Sequence, residues 1–446
     1  MPNTKKITLL FGDILILYLS LWLTLLIRYG GSFNYERWQQ HFWSFTIIYF
    51  FWLIIFYITG LYELTLARNN IDFYSLLFKV IGINASLAVA FFYFIPYFGI
   101  TPKTNLFLSL AVFIVFFSLW RQGYNRLLKA EALINNVLII SESSKNKETK
   151  QIIKLIKSNP QLGYRVIRTI QPSEIKTAFD LLEMATQKNI RTIITAIDPH
   201  SDSKLVQSLY QCLPLKIHFS DLPSFYEKIL GKVPISSIGE IWFLENLTES
   251  QKNFYEAAKR VLDMLGSMVF GLISLPFYPF FALAIKIDTP GPVFYKQRRI
   301  SQDGQIFKVV KFRSMVEEAE KDGAQWADQQ DHRITKVGNF IRKTRLDELP
   351  QLWNILIGQM SFIGPRPERI EFVQQLEKEI PYYQIRHIVK PGLTGWAQVN
   401  FRYGASIEDS IEKLQYELYY IKHRSFILDL SILLKTIEIV LKGGGR

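Results

Sequence analysis

Residues 344 to 354, TRLDELPQLWN, set two carboxylates side by side, Asp347 and Glu348. Paired acids at such a place either open a helix, where they complement the positive end of the macrodipole, or attack and organise an electrophilic centre. The surroundings bear on the choice. Arg342 and Arg345 stand just before the pair, and Lys311 and Arg313 lie upstream in KFRSM. Arg366 sits between Pro365 and Pro367, whose fixed φ values would hold its guanidinium for bidentate contact with a phosphate. Lys390 opens a further glycine-rich, cation-bearing stretch, PGLTGWAQVNFR. Two carboxylates among several cations suit phosphoryl transfer to or from a carboxylate. One acid serves as nucleophile and one as Mg²⁺ ligand, while the cations neutralise phosphate charge.

These residues need elements to hold them. Thr344 is the expected cap of the helix that carries the acids, Pro350 falls in its first turn, and Gly358 ends it. Upstream, alternation on both sides of Asp303-Gly304 predicts a β-hairpin, because that pair tolerates the positive φ of such turns. The hairpin region presents Lys296, Arg298, Arg299, Lys308, Lys311 and Arg313, with Lys311 and Arg313 expected to bind substrate phosphate. Before it, residues 259 to 286 are as apolar and as long as a membrane span but are broken at SLP. Pro276 removes a helix hydrogen bond and Ser274 can satisfy a freed carbonyl. With basic flanks at Lys259, Arg260 and Lys286, the segment is expected to dip into the membrane and return, a Pro-kinked full span being the other reading. Near the carboxyl end, SIEDSIEKLQYELYYIKHRS opens with a capping pattern at Ser406 and Asp409. FILDLSILLKTIEIVL holds charges that favour lying on a membrane or packing on a core over spanning.

The first 130 residues have a different texture, with four acids and ten Lys or Arg among long apolar runs. Spans are expected at roughly 7 to 27, 42 to 60, 74 to 98 and 104 to 121, each near the ~20 residues a helix needs to cross hydrocarbon. The flanking cations favour both ends in the cytoplasm. Asp13 and Lys79 fall inside apolar segments, where an ionisable group is either functional or near enough to an end to reach the interface. From residue 131 to 248, short apolar runs alternate with helical ones, predicting a parallel sheet with packed helices, a Rossmann-like α/β unit. Its first strand-to-helix turn, ISESSKNKET, has no glycine to admit a pyrophosphate, so a module without a cofactor is expected. The single cysteine, Cys212, excludes an internal disulfide. The net charge of +13 suits anionic headgroups and phosphorylated substrates, and no nucleic-acid motif accompanies it.

The segments KFRSM, RKTRLDELPQLWN, GQMSFIGPRPE and KPGLTGWAQVN together resemble the signature of the polyprenyl-phosphate hexose-1-phosphate transferases, monotopic phosphoglycosyl transferases of the long form. The resemblance covers residues 252 to 446 and, more weakly, the preceding regions. It implies a bacterial inner-membrane enzyme with a four-helix transmembrane region, a Rossmann-like domain and an α+β catalytic domain bearing a re-entrant helix. The implied donor is a UDP-sugar, the acceptor is undecaprenyl phosphate, and the cofactor is Mg²⁺. Asp347 would attack the phosphate attached to the sugar and release UMP, while Glu348 would hold the metal. Arg342, Arg366 and Lys311 would contact phosphate or nucleotide. Arg402 matches the arginine of a QVNGR pattern in which phenylalanine here replaces glycine. Membrane lipids are implied partners, a homodimer stays open, and the transferred sugar is not encoded in any of these motifs. Two rival readings remain: metal-ligand acids with direct attack by the lipid phosphate, and a non-enzymatic scaffold or regulator of polysaccharide assembly.

Overall fold

Long apolar runs fold as helices because only a helix satisfies its own backbone groups away from water. In the computed structural model these are α1 (Pro2–Tyr29), α2 (Tyr35–Ile58), α3 (Ile71–Phe94) and α4 (Lys103–Leu127). The structure describes residues 2–95, 103–142, 147–175, 177–197, 203–247, 252–317, 319, 331–401 and 406–441. The chain divides into two compact units, Met1–Ile229 and Leu230–Arg446.

In the first unit, the side chains of Asn34 and Asn70 accept from Arg37 N and Phe73 N and so cap α2 and α3. All four helices are long and apolar enough to cross a membrane. Asp13 of α1 is fully buried and pairs with Arg121 of α4 at 2.5 Å. Trp120 Nε1 donates to the other carboxylate oxygen at 3.0 Å, and Arg121 Nη1 donates to Leu61 O at 2.7 Å. Asp13 therefore neither reaches an interface nor stands open as a reactive group: a cation and an indole consume both its oxygens. Lys79, by contrast, is exposed on α3.

The α/β part follows the expected alternation: β1 (Asn135–Ile140), α5 (Lys147–Ser158), β2 (Tyr164–Ile170), α6 (Ala178–Gln187), β3 (Ile190–Thr195), α7 (Ser203–Gln211), β4 (His218–Asp221) and α8 (Leu222–Leu230). The strands are parallel in the order β2-β1-β3-β4. Leu138, Ile140 and Ile193 are fully buried within it, as strands covered on both faces require. Polar bonds tie this sheet to the helices, since Lys5 Nζ donates to Leu162 O at 3.1 Å and Arg68 Nη2 to Asn159 Oδ1 at 2.6 Å. Most of the glycine-less turn, residues 143–146, lies outside the described residues.

The second unit begins with α9 (Glu240–Asn246), whose Phe243 joins a core with Val373, Leu376 and Leu418. Then come α10 (Asn253–Ser274), a single 3₁₀ turn at Leu275–Phe277 and α11 (Tyr278–Asp288). Ser274 Oγ donates to Gly271 O at 3.0 Å at this break. Both arms touch the same body: Phe270 of α10 meets Phe362 at 6.1 Å between ring centroids, and Tyr278 of α11 meets Phe312 at 5.0 Å. Leu265, Leu272 and Phe280 point away and are more than half exposed, at 52%, 66% and 70%. The remainder consists of β5 (Phe294–Ile300), β6 (Ile306–Phe312), α12 (Lys336–Lys343), α13 (Gln351–Leu356), β7 (Ser361–Ile363), α14 (Ile370–Glu379), β8 (Gly392–Thr394), α15 (Trp396–Asn400), α16 (Ile407–His423) and α17 (Phe426–Leu441). β5 and β6 form the expected hairpin, with Asp303 at φ 54° and Gly304 at φ 75° in its turn. The capping box at Ser406 and Asp409 is present. α17 packs on the core through Asp429, which accepts from Lys259, Tyr255 and Tyr420 at 2.8, 2.7 and 3.0 Å.

Asp13→Asn would leave Arg121 buried with its charge unmatched. The expected loss is about 3–5 kcal/mol, read as a fall in the unfolding midpoint in detergent. An Asp13→Leu/Arg121→Met double variant should recover most of it, and an unchanged midpoint in the single variant would show that the pair carries no structural weight.

Candidate active site

Thr335 Oγ1 accepts from Gly338 N at 2.9 Å and opens α12, with Asp288 Oδ2 accepting from Val337 N at 2.9 Å beside it. Thr344 closes this helix, its N–H donating to Phe340 O at 3.1 Å. It is therefore a C-cap and not the cap of the helix that follows. The chain reverses at Arg345, which adopts the left-handed conformation with φ 57° and ψ 18°, a costly one for a residue with a Cβ. Asp347 and Glu348 then lie in a short 3₁₀ turn, Leu346–Glu348, ahead of α13 and not in its first turn.

Apolar neighbours seat this turn. Leu346 and Leu349 pack against Ile285, Phe312 and Ile341, and Leu352 and Ile355 pack against Phe307 and Val309 of the hairpin. Asn354, buried to 1%, stitches α13 to β6: its Nδ2 donates to Lys308 O at 2.8 Å and its Oδ1 accepts from Val310 N at 3.1 Å. That docking sets Lys311 over the acids. The opposite flank is built from glycines, because a Cβ on Gly364 would fall 2.3 Å from Lys390 O and one on Gly392 would fall 2.1 Å from Gly364 N. Only glycine permits this approach of β7 and β8, and Arg366 leaves β7 directly after it.

The two acids, although adjacent and equally buried at 8% and 7%, are treated differently. Glu348 Oε1 receives Arg366 Nη2 at 2.9 Å and Lys311 Nζ at 3.2 Å, while its Oε2 faces Arg345 Nη1 at 3.8 Å. Burial alone would raise its pKa, but Arg366, Lys311 and Arg345 more than offset that and hold the group well below the usual carboxylate range. Asp347 makes no ion pair or hydrogen bond among the described residues. Burial pushes its carboxyl up, to about 6, against the pull of Lys311; the neighbouring Glu348 charge adds to the rise, and Arg366 and Arg342 oppose it. Asp347 is thus still mainly ionised at pH 7, as expected of a nucleophile, and holds no committed partner among the described residues.

The structure brings together Lys311, Arg342, Asp347, Glu348 and Arg366. It does not bring in Arg313, which is buried and donates to Thr289 O at 2.7 Å and Pro290 O at 2.8 Å, locking the chain after α11. Arg402 lies outside the described residues. Lys296, Arg298 and Lys308 occupy the exposed face of the hairpin, and Lys311 the face turned to the acids. Arg345, noted for its place before the acids, reaches Glu348 through its left-handed turn, and Gln351, not singled out in the sequence, is buried to 3% with its Nε2 unpartnered among the described residues. A third acid or a histidine at metal-binding distance is absent among the described residues. A Mg²⁺ ion at Glu348 would share a carboxylate whose oxygens already face Arg366, Lys311 and Arg345, and would draw its other ligands from water and substrate phosphates.

Residues 254–443 match the signature of the bacterial sugar transferase family. Among relatives, the UDP-N-acetylgalactosamine-undecaprenyl-phosphate N-acetylgalactosaminephosphotransferase of Aeromonas hydrophila is 41% identical over 237 residues, 53% of this chain and 55% of that one. The UDP-glucose:undecaprenyl-phosphate glucose-1-phosphate transferase of Escherichia coli is 44% identical over 184 residues, 40% of this chain and 39% of that one. The exopolysaccharide production protein PSS of Rhizobium leguminosarum is 37% identical over 192 residues, 42% of this chain and 96% of that one. The chain thus spans about half or less of the first two relatives and nearly all of the third. A signature that contains the whole acid and cation cluster, with a relative covered almost end to end, settles the family: the chain belongs to the bacterial sugar transferases.

Proposed function

We propose that the protein transfers a sugar 1-phosphate from a UDP-sugar to undecaprenyl phosphate through a covalent phosphosugar on Asp347, starting a surface polysaccharide. The observation that carries this reading is the division of labour between two adjacent buried carboxylates. Glu348 is locked by Arg366, Lys311 and Arg345, whereas Asp347 is ionised at pH 7 and makes no ion pair or hydrogen bond among the described residues. A largely buried carboxylate without a committed partner is a competent nucleophile.

In the first step an Asp347 oxygen attacks the phosphorus that bears the sugar. The bond from that phosphorus to the bridging oxygen breaks, and UMP leaves with the electron pair, so no general acid is needed. In the second step an oxygen of the lipid phosphate attacks the same phosphorus and returns Asp347 as a carboxylate, leaving a lipid diphosphate sugar. Lys311, Arg342 and Arg366 face the charge carried by the phosphates in both steps. Held by Glu348 together with the donor phosphates, Mg²⁺ would supply further charge neutralisation. The broken helix α10–α11 is read as re-entrant, because both arms return to one body while the apolar side chains around the break face outward. With the helices of the first unit it would keep the site at the cytoplasmic face of the inner membrane, within reach of a lipid phosphate. The relatives named above differ in the sugar they carry, so the donor is proposed only as a UDP-sugar.

Asp347→Asn should abolish UMP release and the capture of radiolabelled phosphosugar on the protein. Exchange of labelled UMP into UDP-sugar without lipid should occur in the parent chain and vanish in the variant. Retained turnover would exclude Asp347 as nucleophile, and turnover without exchange would favour direct attack by the lipid. A chain inactive toward a panel of UDP-sugars would point to a scaffold.

The pH dependence follows from the raised Asp347 pKa. Protonation switches the nucleophile off as pH falls through about 6, while Glu348 stays charged. kcat/KM should therefore drop about tenfold per pH unit below this limb. A profile flat to about pH 4.5 contradicts the assignment.

For the metal, calorimetry should show weak Mg²⁺ binding to the protein alone and tighter binding once UDP-sugar is present. A tight site without nucleotide would remove Mg²⁺ from Glu348.

A further inference from the structure

Arg366 is the closest cation to Glu348, and its aim depends on the backbone that carries it. Prolines on both sides fix φ and remove two of the four backbone donors between Pro365 and Glu368, so the carbonyls carry much of what holds this segment. All four are taken. Gly392 N donates to Pro365 O at 2.8 Å and Ile300 N to Glu368 O at 3.2 Å. Arg299 Nη1 donates to Pro367 O at 3.2 Å, and Arg386 Nη2 donates to Arg366 O at 2.8 Å.

Two of the four clamps are guanidinium groups, and the one on Arg366 itself is the more deeply buried. Arg386 is 2% exposed, and it also donates to both carboxylate oxygens of Glu417 at 2.7 Å each, Glu417 being 2% exposed on α16. A fully buried ion pair is a weak source of stability, because desolvation consumes most of its Coulomb energy and apolar replacements of the same volume are often as stable. What apolar packing cannot reproduce is a charged donor aimed at one carbonyl. The bidentate geometry fixes the guanidinium plane, and the remaining donor direction falls on Arg366 O. Arg386 does not enter the cluster at Glu348, so its influence on the site passes through the backbone of Arg366.

We infer that Arg386, oriented by Glu417, is a positioning residue that sets Arg366 for the phosphates of the donor. The inference rests on the transferase reading above and adds to it a connection from α16 to the site. A displacement on the order of 1 Å at a positioning group costs about a hundredfold in rate, so the effect should be readable in turnover and should run through Arg366 alone.

The test is a double-mutant cycle on the full chain, with UMP release as the assay. Arg386→Gln should lower kcat/KM roughly 10- to 100-fold. In an Arg366→Gln background, Arg386→Gln should cost less than about threefold, and Arg386→Lys should restore part of the activity in the parent background. Where Arg386→Gln does not fold, judged by thermal unfolding, Glu417→Gln takes its place in the cycle, since it keeps the guanidinium and one acceptor oxygen. Equal losses in both backgrounds, with no rescue by Arg386→Lys, would reduce the pair to a structural role and overturn the inference. A parent chain that releases no UMP sinks the transferase reading and this inference together, whereas equal losses in an active chain sink the inference alone.

Discussion

Three cations from three separate segments converge on the one buried carboxylate of Glu348: Lys311 from β6, Arg345 from a left-handed turn and Arg366 from between two prolines. Without that carboxylate their charges would repel one another in a poorly solvated place. With it they form a preassembled electropositive wall that needs no reorganisation when phosphates arrive. Glu348 also frees Asp347. Since its own charge is matched by these cations, the neighbouring acid is left to burial and to the weaker pull of groups already engaged, and it rises to about 6 without becoming neutral at pH 7. Adjacent positions in a 3₁₀ turn point in different directions, which lets one side chain serve as an electrostatic keystone and the next remain available.

The broken apolar helix is mechanically connected to this wall. α11 ends at Asp288, whose carboxylate accepts from the first turn of α12. α12 runs from there to Arg342 and the left-handed Arg345. Arg313 ties down Thr289 and Pro290 immediately after α11. On the other arm, Arg260 donates to Ile355 O and Leu356 O at 2.6 Å each, holding the far end of α13. The acids thus sit between two attachments of one helical element, and the depth of that element in a bilayer would set the height of the site above it.

Much of this was legible where the signal is local. Asp303-Gly304 carries its own turn chemistry, so the hairpin and the strand position of Lys311 followed from adjacent residues. Helix α5 buries Ile152 and Ile156 at helical spacing, as the alternation of short apolar and helical runs in this region predicts. The acids stood out through their cationic neighbours. What escaped depends on partners distant in the chain or on backbone no motif announces. Thr344 has the chemistry of an N-cap and serves as a C-cap, because the choice is made by the left-handed Arg345 that follows it. Asp13 drew notice as a charge in an apolar run, but its partner Arg121 lies 108 residues away. Arg313 is as basic as Lys311 and two residues from it, yet the strand ends between them and Arg313 turns into the protein to hold carbonyls.

Charge placement also separates the roles of the two units. In the first, the deeply buried Asp13 and Arg121 satisfy one another and a backbone carbonyl, an arrangement that fixes α1 against α4 and leaves neither group for chemistry. In the second, buried charge is distributed unevenly: Arg386 and Glu417 are completed by a carbonyl, Glu348 is oversupplied with cations, and Asp347 is left open. Protein interiors ordinarily match such groups, since an unmatched buried charge costs several kcal/mol. At this turn a phosphate-bearing ligand would complete the imbalance, while the matched Arg386–Glu417 pair holds the backbone of Arg366 beside it.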